Sequence, residues 1–237
     1  MSTTGNAFST VLEQAILNHV LRNVSYTSPS TVYVGLFTTA PSASTDSGTD
    51  GIEVGSFTCT LDANINNSVT SFNVSAPIAG ASNPSAFTTF PTGASPNYVV
   101  VVGSEKMLVT GMVANGGGAT LTVTRAYSGT SAASHSGGDT MTVHGHPATA
   151  YQRVAVTFGA PTKNVGPATG SVIKNSAQVD FAVAAYNWGT CTAAGIFDSA
   201  TPGLGNVLVY GPLVSNKTVE QDDALKFLSN ALSITLD

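Results

Sequence analysis

Short runs of alternating apolar and polar residues, separated by segments rich in glycine, proline, serine and asparagine, recur along most of the chain. Period-two alternation over a few residues is typical of half-buried β-strands. Composition favours the same class, because 57 of the 237 residues are Ser or Thr and the chain also contains 24 Gly and 11 Pro. These residues favour strands and turns over helices, so we predict a mainly β protein.

One segment near the N-terminus has helical periodicity instead. Apolar residues between positions 8 and 21 follow the i, i+3, i+4, i+7 spacing of an amphipathic helix. Thr10 and Glu13 have the spacing of a capping box, and Asn6 and Ser9 are alternative starts. We expect the apolar stripe to pack against the protein's own sheet, with packing against a partner as the alternative.

The strand pattern divides into two parts, which predicts a domain inserted into another. Residues 1–55 and 148–237 form a sandwich-like or barrel-like outer β domain that carries the helix, and residues 56–147 form a small barrel-like domain that projects from it. The shorter strand spacing of the inserted part, 8–12 residues, favours a small barrel or sandwich. Predicted strands cover residues 31–37, 69–74, 98–102, 107–113, 121–125, 140–143, 152–158, 176–183, 190–197, 207–210 and 232–237.

Charge and hydropathy exclude several classes of partner. Charged residues make up only 9% of the chain, against about 25% in ordinary soluble proteins. The eight Lys and Arg residues are scattered and the net charge is −5, so we expect no nucleic-acid binding. No apolar run reaches the length of a membrane span, and the first residues lack the pattern of a signal peptide. Cys59 and Cys191 lie far apart and are predicted to be buried free thiols.

Two histidines, His144 and His146, form the one metal-like pair. On a strand, residues two apart point to the same face, so the two imidazoles could share a cation, within one chain or around the axis of a trimer. No acid lies beside them except Asp139, and Pro147 follows directly. We therefore favour a polar strand end over a metal site and predict no cofactor.

The remaining polar candidates do not combine into a catalytic set. His135 lies between two serines in a turn-like segment without an evident carboxylate to orient it, as serine hydrolysis requires. Glycoside hydrolysis needs two acids across a groove, and the scattered candidates are Glu105, Asp180 and Asp198, while the pair Asp222 and Asp223 is typical of a solvated turn. Gly116 to Gly118 lack the Lys of a phosphate loop. We therefore predict no catalytic residues and no enzyme activity.

Aromatic residues leave a sugar-binding alternative open. Trp188 and Tyr186 lie where a strand meets a turn and are predicted to be core anchors, although aromatic rings can also bind a sugar face. On the inserted domain, Tyr98 and Tyr127 are the candidates for an exposed aromatic surface. A carbohydrate-binding module is therefore the alternative to a purely structural protein.

Three stretches resemble tail-fibre-like and minor structural proteins of tailed bacteriophages. The first runs from Ala15-Ile-Leu-Asn-His19 to Val32-Tyr-Val-Gly-Leu-Phe37 and Pro41. The second combines Tyr151-Gln-Arg-Val-Ala-Val-Thr-Phe158 with Tyr186-Asn-Trp-Gly-Thr190 and Gly195-Ile-Phe-Asp198. The third runs from Leu208-Val-Tyr-Gly-Pro-Leu213 to Leu232-Ser-Ile-Thr-Leu-Asp237.

The inserted part resembles a second phage-associated module. Its matching stretches are Phe90-Pro91, Asn97-Tyr-Val-Val, Gly103-Ser-Glu105, Met107-Leu-Val109 and Leu121-Thr-Val-Thr-Arg125 through His135. The usual Arg-Gly of that module is here Arg125-Ala126, which places the turn after Arg125 in question.

The resemblance implies a non-enzymatic virion component, made in the host cytoplasm and acting through assembly with other phage proteins. Two placements remain open: a fibre or baseplate-associated protein of the tail, and a decoration or cement protein of the capsid. Surfaces with few charges favour self-association, so we also expect a homo-oligomer, with a trimer as the preferred symmetry. A host-surface glycan is the further partner to be tested.

Overall fold

The computed structural model describes residues 7–41, 51–76, 98–115, 117–146, 149–163 and 170–236, and within them the chain is mainly β, as predicted. Several residues named above lie outside these ranges: Asn6, Phe90, Pro91, Asn97, Gly116, Pro147, Ala148 and Asp237. No helix in the described ranges is long and apolar enough to cross a membrane.

A six-stranded antiparallel sheet forms the centre of the outer part. Its order is β1 (Ala7–Phe8), β15 (Val207–Val219), β14 (Gly189–Phe197), β2 (Val32–Thr39) and β10 (Val154–Val156), with β3 (Ile52–Glu53) also paired to β2. The long central strands carry the small and β-branched residues that fit a pleated, buried surface. Phe37 stacks on Phe197 across β2 and β14, with ring centroids 5.7 Å apart.

Two small sheets contribute to the core of the outer part. One joins β11 (Thr162–Lys163), β12 (Ser171–Lys174) and β17 (Ser233–Leu236), and the other pairs β13 (Val179–Asp180) with β16 (Lys226–Phe227). Val179 and Phe227 of the two-stranded sheet are buried in one cluster with Leu36 and Trp188. This arrangement is consistent with the predicted sandwich-like or barrel-like class.

A second six-stranded sheet is almost closed into a barrel. Its order is β4 (Phe57–Thr60), β9 (Thr140–His144), β6 (Tyr98–Val102), β7 (Glu105–Ala114), β8 (Gly118–Thr124) and β5 (Ser71–Ser75). A bridge between Leu61 and Val74 links the two ends of the sheet. Strand β6 matches its predicted bounds, and β7 with β8 forms the predicted hairpin.

Some predicted strands differ from the observed ones. Within the predicted run 152–158, only Val154–Val156 form a strand, and Phe158 forms a single isolated bridge to Asn175. The run 176–183 keeps only Val179–Asp180. Strand β15 extends to Val219, beyond the predicted end at Tyr210. Its polar second half shows no apolar alternation in the sequence, but its end pairs with the start of β14.

The predicted N-terminal helix is present as α1 (Thr10–Leu21). Ser9 is the N-cap, and its hydroxyl accepts a hydrogen bond from the Leu12 N–H at 3.3 Å, so Thr10 does not cap the helix. The expected packing of the apolar stripe is wrong for most of its length. No residue of the helix is buried, and only its beginning, through Leu12, packs against the core.

The division into an outer and an inserted domain stays a prediction. All strands of the barrel-like sheet lie between residues 57 and 144, and no strand pair in the described part of the chain joins that sheet to another. Each sheet has its own cluster of buried apolar residues. These observations support the division as a proposal, with separate stability of the two parts as its test.

Candidate functional site

A fully buried carboxylate, Glu105, lies at the start of β7 and organises the inserted part. Arg125 binds it with two parallel hydrogen bonds, from Nε to Oε1 and from Nη2 to Oε2, both 2.7 Å long. His135 Nε2 lies 2.8 Å from Oε2. Paired hydrogen bonds of this kind between a guanidinium and a carboxylate are among the strongest in proteins.

Two backbone N–H groups complete the surroundings of Glu105. Ala126 donates to Oε1 at 3.2 Å and Ala133 donates to Oε2 at 3.0 Å. Burial by itself raises the pKa of Glu105, but hydrogen bonds from Arg125, Ala133, His135 and Ala126 outweigh it and lower the pKa to about 2. A carboxylate with so low a pKa is a poor proton acceptor or donor at neutral pH. We therefore interpret Glu105 as a structural anchor.

Arg125 also donates hydrogen bonds to two loops and holds them together. Its Nη1 donates to the carbonyls of Asn66 and Val69 at 2.9 and 2.8 Å, and its Nη2 donates to Ala133 at 2.6 Å. The loop after β4 and the loop before β9 are thereby fixed to the same guanidinium. Removing Arg125 would release both loops and leave Glu105 charged and buried.

The orienting carboxylate that the sequence did not reveal for His135 is therefore Glu105. The two residues are 30 positions apart, and only the pairing of the barrel strands brings them together. Neither Ser134 nor Ser136 has a hydroxyl hydrogen-bonded to the His135 ring in the described structure. The nucleophile that serine hydrolysis requires is thus missing from this arrangement.

The turn after Arg125 has the backbone conformation that a glycine would favour. Ala126 has φ 54° and ψ 35°, in the left-handed region. This conformation costs a non-glycine residue about 1–2 kcal/mol, partly offset by the larger unfolded-state entropy of glycine. The resemblance to modules with Arg-Gly is consistent with this geometry.

We predict that Ala126→Gly raises the free energy of unfolding by up to about 1 kcal/mol, since the relief of backbone strain exceeds the entropy cost of glycine. Chemical denaturation measures the change. Ala114→Gly, in the regular backbone of β7, is the control and should lower stability. Equal destabilisation by both changes would contradict the prediction.

A second buried ion pair joins Glu53 and Arg153 in the outer part. Arg153 Nε donates to Oε1 at 2.7 Å and Nη2 donates to Oε2 at 2.8 Å. Arg153 Nη1 also donates to the carbonyls of Ser199 and Leu204, and its guanidinium lies 3.5 Å from the centre of the Phe197 ring. The pair thus holds the loop after β14 in place.

Tyr151 connects this second cluster to strand β2 of the central sheet. Its hydroxyl donates to Glu53 Oε1 at 3.0 Å and accepts from the Leu36 N–H at 2.8 Å. Gly35 allows this close approach, because a Cβ atom there would lie 2.7 Å from the Phe197 ring and 3.0 Å from the Tyr151 hydroxyl. Any larger residue at position 35 would displace the cluster.

The second cluster lies where the chain enters and leaves the barrel-like sheet. Glu53 comes just before β4, and Arg153 follows shortly after β9. Between the same two segments, the His146 N–H donates to the Gly55 carbonyl at 3.4 Å. The two ends of the predicted insertion are therefore joined by a buried ion pair, which fixes the connection more firmly than a free linker would.

His144 and His146 do not share a face. Strand β9 ends at His144, and Gly145 has φ 57°, so the alternation assumed for the pair stops there. The Nδ1 atom of His144 lies 3.3 Å from the Ser56 hydroxyl, whereas the His146 ring lies 4.6 Å from the Tyr98 ring, measured between centroids. The geometry on which the metal alternative depended is absent within the chain.

Burial lowers the pKa of both histidines to about 4. For His144, the Glu53 charge opposes this shift, while Arg153 and Lys106 add to it. The pKa of each histidine is lower in the folded state than its unfolded value near 6.5. Each histidine therefore contributes its full stability to the fold only above pH 6.5, where it is neutral in both states. This stability is lost as the pH falls toward 4.

Between pH 7 and pH 5, the free energy of unfolding should fall by about 2 kcal/mol less in the His146→Phe variant than in the wild-type protein. The replacement keeps a ring beside Tyr98 but cannot take up a proton. Denaturation at the two pH values measures the difference, in a range where Glu105 remains ionised. An unchanged pH dependence in the variant would contradict the prediction.

The other predicted acids serve turns. Both carboxylate oxygens of Asp198 accept from Asn206, at 2.6 and 2.8 Å. Asp180 is exposed and accepts from Gln178. Asp222 and Asp223 lie in an exposed turn, as predicted, where Asp223 accepts from the Glu220 N–H.

The predicted core anchor Trp188 and the free thiols are confirmed, whereas Tyr186 is only partly buried and is not part of the buried core. Trp188 is buried, donates from Nε1 to the Thr149 carbonyl at 2.9 Å, and packs edge-on against Tyr151. Cys59 and Cys191 are free and buried, and burial raises the pKa of each thiol to about 12.

The proposed aromatic sugar surface is wrong for Tyr98. That side chain is 2% exposed, and its hydroxyl contacts Met112 Sδ at 3.6 Å. Tyr127 is partly exposed in a single 3₁₀ turn, Tyr127–Gly129. An exposed pair of rings is therefore not formed.

A polar cleft of about 410 Å³ opens instead beside the Glu105 cluster. Its lining consists of Asn64, Ile65, Asn66, Ser134, His135 and Ser136. Arg125 and Glu105 hold both walls from behind, so the cleft is shaped before any ligand binds. In the described ranges, no three His, Cys, Asp or Glu residues are placed to bind a metal ion.

Comparison with known proteins gives the family. No curated protein matches the chain. A family model described as podophage GP4 fiber I protein gp80 matches residues 7–104 and 112–235, which is nearly the whole chain. The match covers the central sheet, the Glu53–Arg153 pair and most of the barrel-like sheet, but it leaves out residues 105–111 and with them Glu105; it agrees with the resemblance to phage tail-fibre proteins. The chain therefore belongs to the podophage GP4 fiber I protein gp80 family and is a structural protein of the tail fibre of a tailed phage.

Proposed function

We propose that this fibre protein acts without enzymatic activity, through assembly with other virion proteins and with copies of itself. In this proposal the outer part docks in the particle and the inserted part projects from it. The observation that carries the proposal is the state of the two buried acids. Glu105 and Glu53 are each held by an arginine and by further donors, so neither is available to a substrate.

The surface supports the same interpretation. Charged residues are few, so little electrostatic repulsion opposes the contact of one neutral β surface with another. A trimer is the oligomer that we propose. Placement in the tail is favoured by the fibre family over the capsid-decoration alternative.

Quantitative mass spectrometry of purified particles tests the placement. A tail-fibre protein should be present in a few to tens of copies per particle, whereas a capsid decoration protein should be present in hundreds. Gold-labelled antibodies should mark the tail. Absence of the chain from purified particles would overturn the structural proposal, and release of sugars from host envelope polymers by the pure protein would overturn its non-enzymatic part.

Host-glycan binding is the second candidate, and the polar cleft beside His135 favours it. Side-chain amides and hydroxyls line this cleft, and such neutral groups hydrogen-bond to sugar hydroxyls. Loops held in place before binding lose little entropy when a ligand arrives. The proposed glycan-binding residues are therefore Asn64, Asn66, Ser134 and Ser136 in place of Tyr98 and Tyr127.

Calorimetry with purified host envelope polysaccharide tests this candidate. Ser134→Arg fills the cleft and should abolish binding, while Thr122→Arg, on the exposed face of β8 outside the cleft lining, should leave binding intact. Failure of the wild-type protein to bind any host envelope fraction would overturn glycan binding and leave the structural role unaffected.

A further inference from the structure

The cleft beside the Glu105 cluster is built on one antiparallel bridge, between Ile65 and His135. The backbone groups of these two residues exchange two N–H to carbonyl hydrogen bonds, each 2.9 Å long. Their side chains point inward, because Ile65 belongs to the core of the barrel-like sheet and the His135 ring contacts Glu105. Side chains alternate along extended backbone, so the residues on either side of the bridge face outward together. These outward residues are Asn64, Asn66, Ser134 and Ser136, and all four are exposed.

The two asparagine side chains have fixed orientations. Asn64 Oδ1 accepts a hydrogen bond from the Gly137 N–H at 2.8 Å. Asn66 Oδ1 accepts from the N–H groups of Ser68 and Val69, at 2.9 and 3.1 Å. A backbone N–H can only donate, so the atom that it meets must be the amide oxygen and not the nitrogen. Among the residues that the structure describes, neither NH₂ group donates to another protein group, so both are available to a ligand.

The outward face of the cleft is consequently rich in donors and poor in acceptors. It offers two NH₂ groups, which only donate, and the hydroxyls of Ser134 and Ser136, which can donate or accept. A plain hexose brings several hydroxyl donors and would find side-chain acceptors only in the two serines. A carbonyl oxygen accepts two hydrogen bonds and donates none, so a ligand that carries one fits this face better.

The surrounding charges favour a neutral carbonyl over a carboxylate. The guanidinium behind the cleft, Arg125, is already paired with Glu105. The described lining contains no Lys or Arg, and Asp139 lies beside it, where Oδ2 accepts from the Ser136 N–H at 2.8 Å. A ligand carboxylate would therefore meet a like charge and no unpaired guanidinium or ammonium group. The carbonyl of an acetamido group carries no net charge and avoids this repulsion.

We propose that the cleft binds an N-acetylated amino sugar of the host envelope, with the NH₂ groups of Asn64 and Asn66 donating to acetamido carbonyl oxygens. The acetamido N–H and the ring hydroxyls pair with the hydroxyls of Ser134 and Ser136. The volume of about 410 Å³ lies within the range of small-molecule sites, about 300–1,000 Å³. The inference rests on the proposed glycan-binding function and names its ligand class.

Calorimetry with chemically edited polysaccharide tests the ligand class. The probe is envelope polysaccharide purified from the host bacterium, used in its native form, after removal of its N-acetyl groups, and after these groups have been restored. The native and restored polymers should bind. The de-N-acetylated polymer should bind at least about 10-fold more weakly, because the carbonyl acceptors are gone. Mild alkali, which removes only ester-linked acetyl groups, should leave the affinity unchanged.

The double variant Asn64→Asp, Asn66→Asp tests the donors. Each new carboxylate can still accept from the backbone N–H groups that the amide oxygen binds, so the loops keep their shape while the NH₂ donors are lost. Its affinity for the native polymer should fall at least about 10-fold. The matched control is Asn73→Asp, Asn187→Asp, which adds the same charge at two asparagines outside the cleft lining whose side-chain oxygens are also acceptors. The control should bind like the wild-type protein.

Three results would overturn the inference and leave glycan binding intact. They are equal affinity of the wild-type protein for the native and de-N-acetylated polymers, an undiminished affinity of the cleft variant, and an equal loss in the cleft variant and its control. A wild-type protein that binds no host polysaccharide would overturn the glycan-binding function itself, and the inference with it. None of these results bears on the presence of the chain in purified particles.

Discussion

Arg125→Met lowers the free energy of unfolding of the barrel-like sheet by about 3–5 kcal/mol. The change leaves Glu105 buried without its charge partner and also frees the carbonyls of Asn66, Val69 and Ala133. Because whole domains are stable by only about 5–15 kcal/mol, the loss is a large part of the total. Hydrogen exchange measured at increasing denaturant concentration gives the free energy of unfolding of this sheet in the wild-type protein and in the variant.

The control for this change is Lys217→Met, which removes an exposed cation from β15 and should shift stability by less than about 0.5 kcal/mol. The double variant Glu105→Gln, Arg125→Met should lose less than the sum of the two single changes, since the second removes a charge that the first has left unpaired. Strict additivity would contradict the account of Glu105 and Arg125 as one unit.

Arg153→Met has an effect of similar size, about 3–5 kcal/mol, in the outer part. Glu53 is 4% exposed, and it would lose both bonds to the guanidinium. The loop carbonyls of Ser199 and Leu204 would lose their donor as well. Arg153→Lys keeps the charge but not the planar fork, so it should lose less stability than Arg153→Met and more than an exposed substitution.

Hydrogen exchange in the two variants also tests the predicted domains. If the outer and inserted parts unfold separately, Arg125→Met should speed exchange in β4 to β9 and Arg153→Met should speed it in β2, β14 and β15. Equal acceleration throughout the chain by both variants would show a single cooperative unit and would contradict the domain division.

Local structure followed from sequence where the signal was local. Strand β6 was predicted at its exact bounds because five consecutive apolar residues need burial on both faces. The second half of β15 was missed because Ser215, Asn216 and Lys217 show no apolar alternation, and its pairing with β14 resumes at Lys217 only after a register shift. Helical periodicity located α1 but could not show which part of its apolar stripe the core would cover.

The ion-pair clusters were beyond prediction for a different reason. Glu53 and Arg153 are 100 residues apart, and Glu105 begins β7 while Arg125 directly follows β8, two strands whose pairing depends on the whole sheet. One signal was present: in a chain with so few charges, Glu53 lies between Ile52 and Val54. A charged residue in such surroundings indicates a buried pair, although its partner requires the fold.

Electron cryo-microscopy of purified particles tests most directly whether this protein works as an assembled fibre component. The account predicts density for the chain in the tail, with both buried ion pairs intact. A chain absent from the particle, or present in the capsid shell and not in the tail, would contradict it.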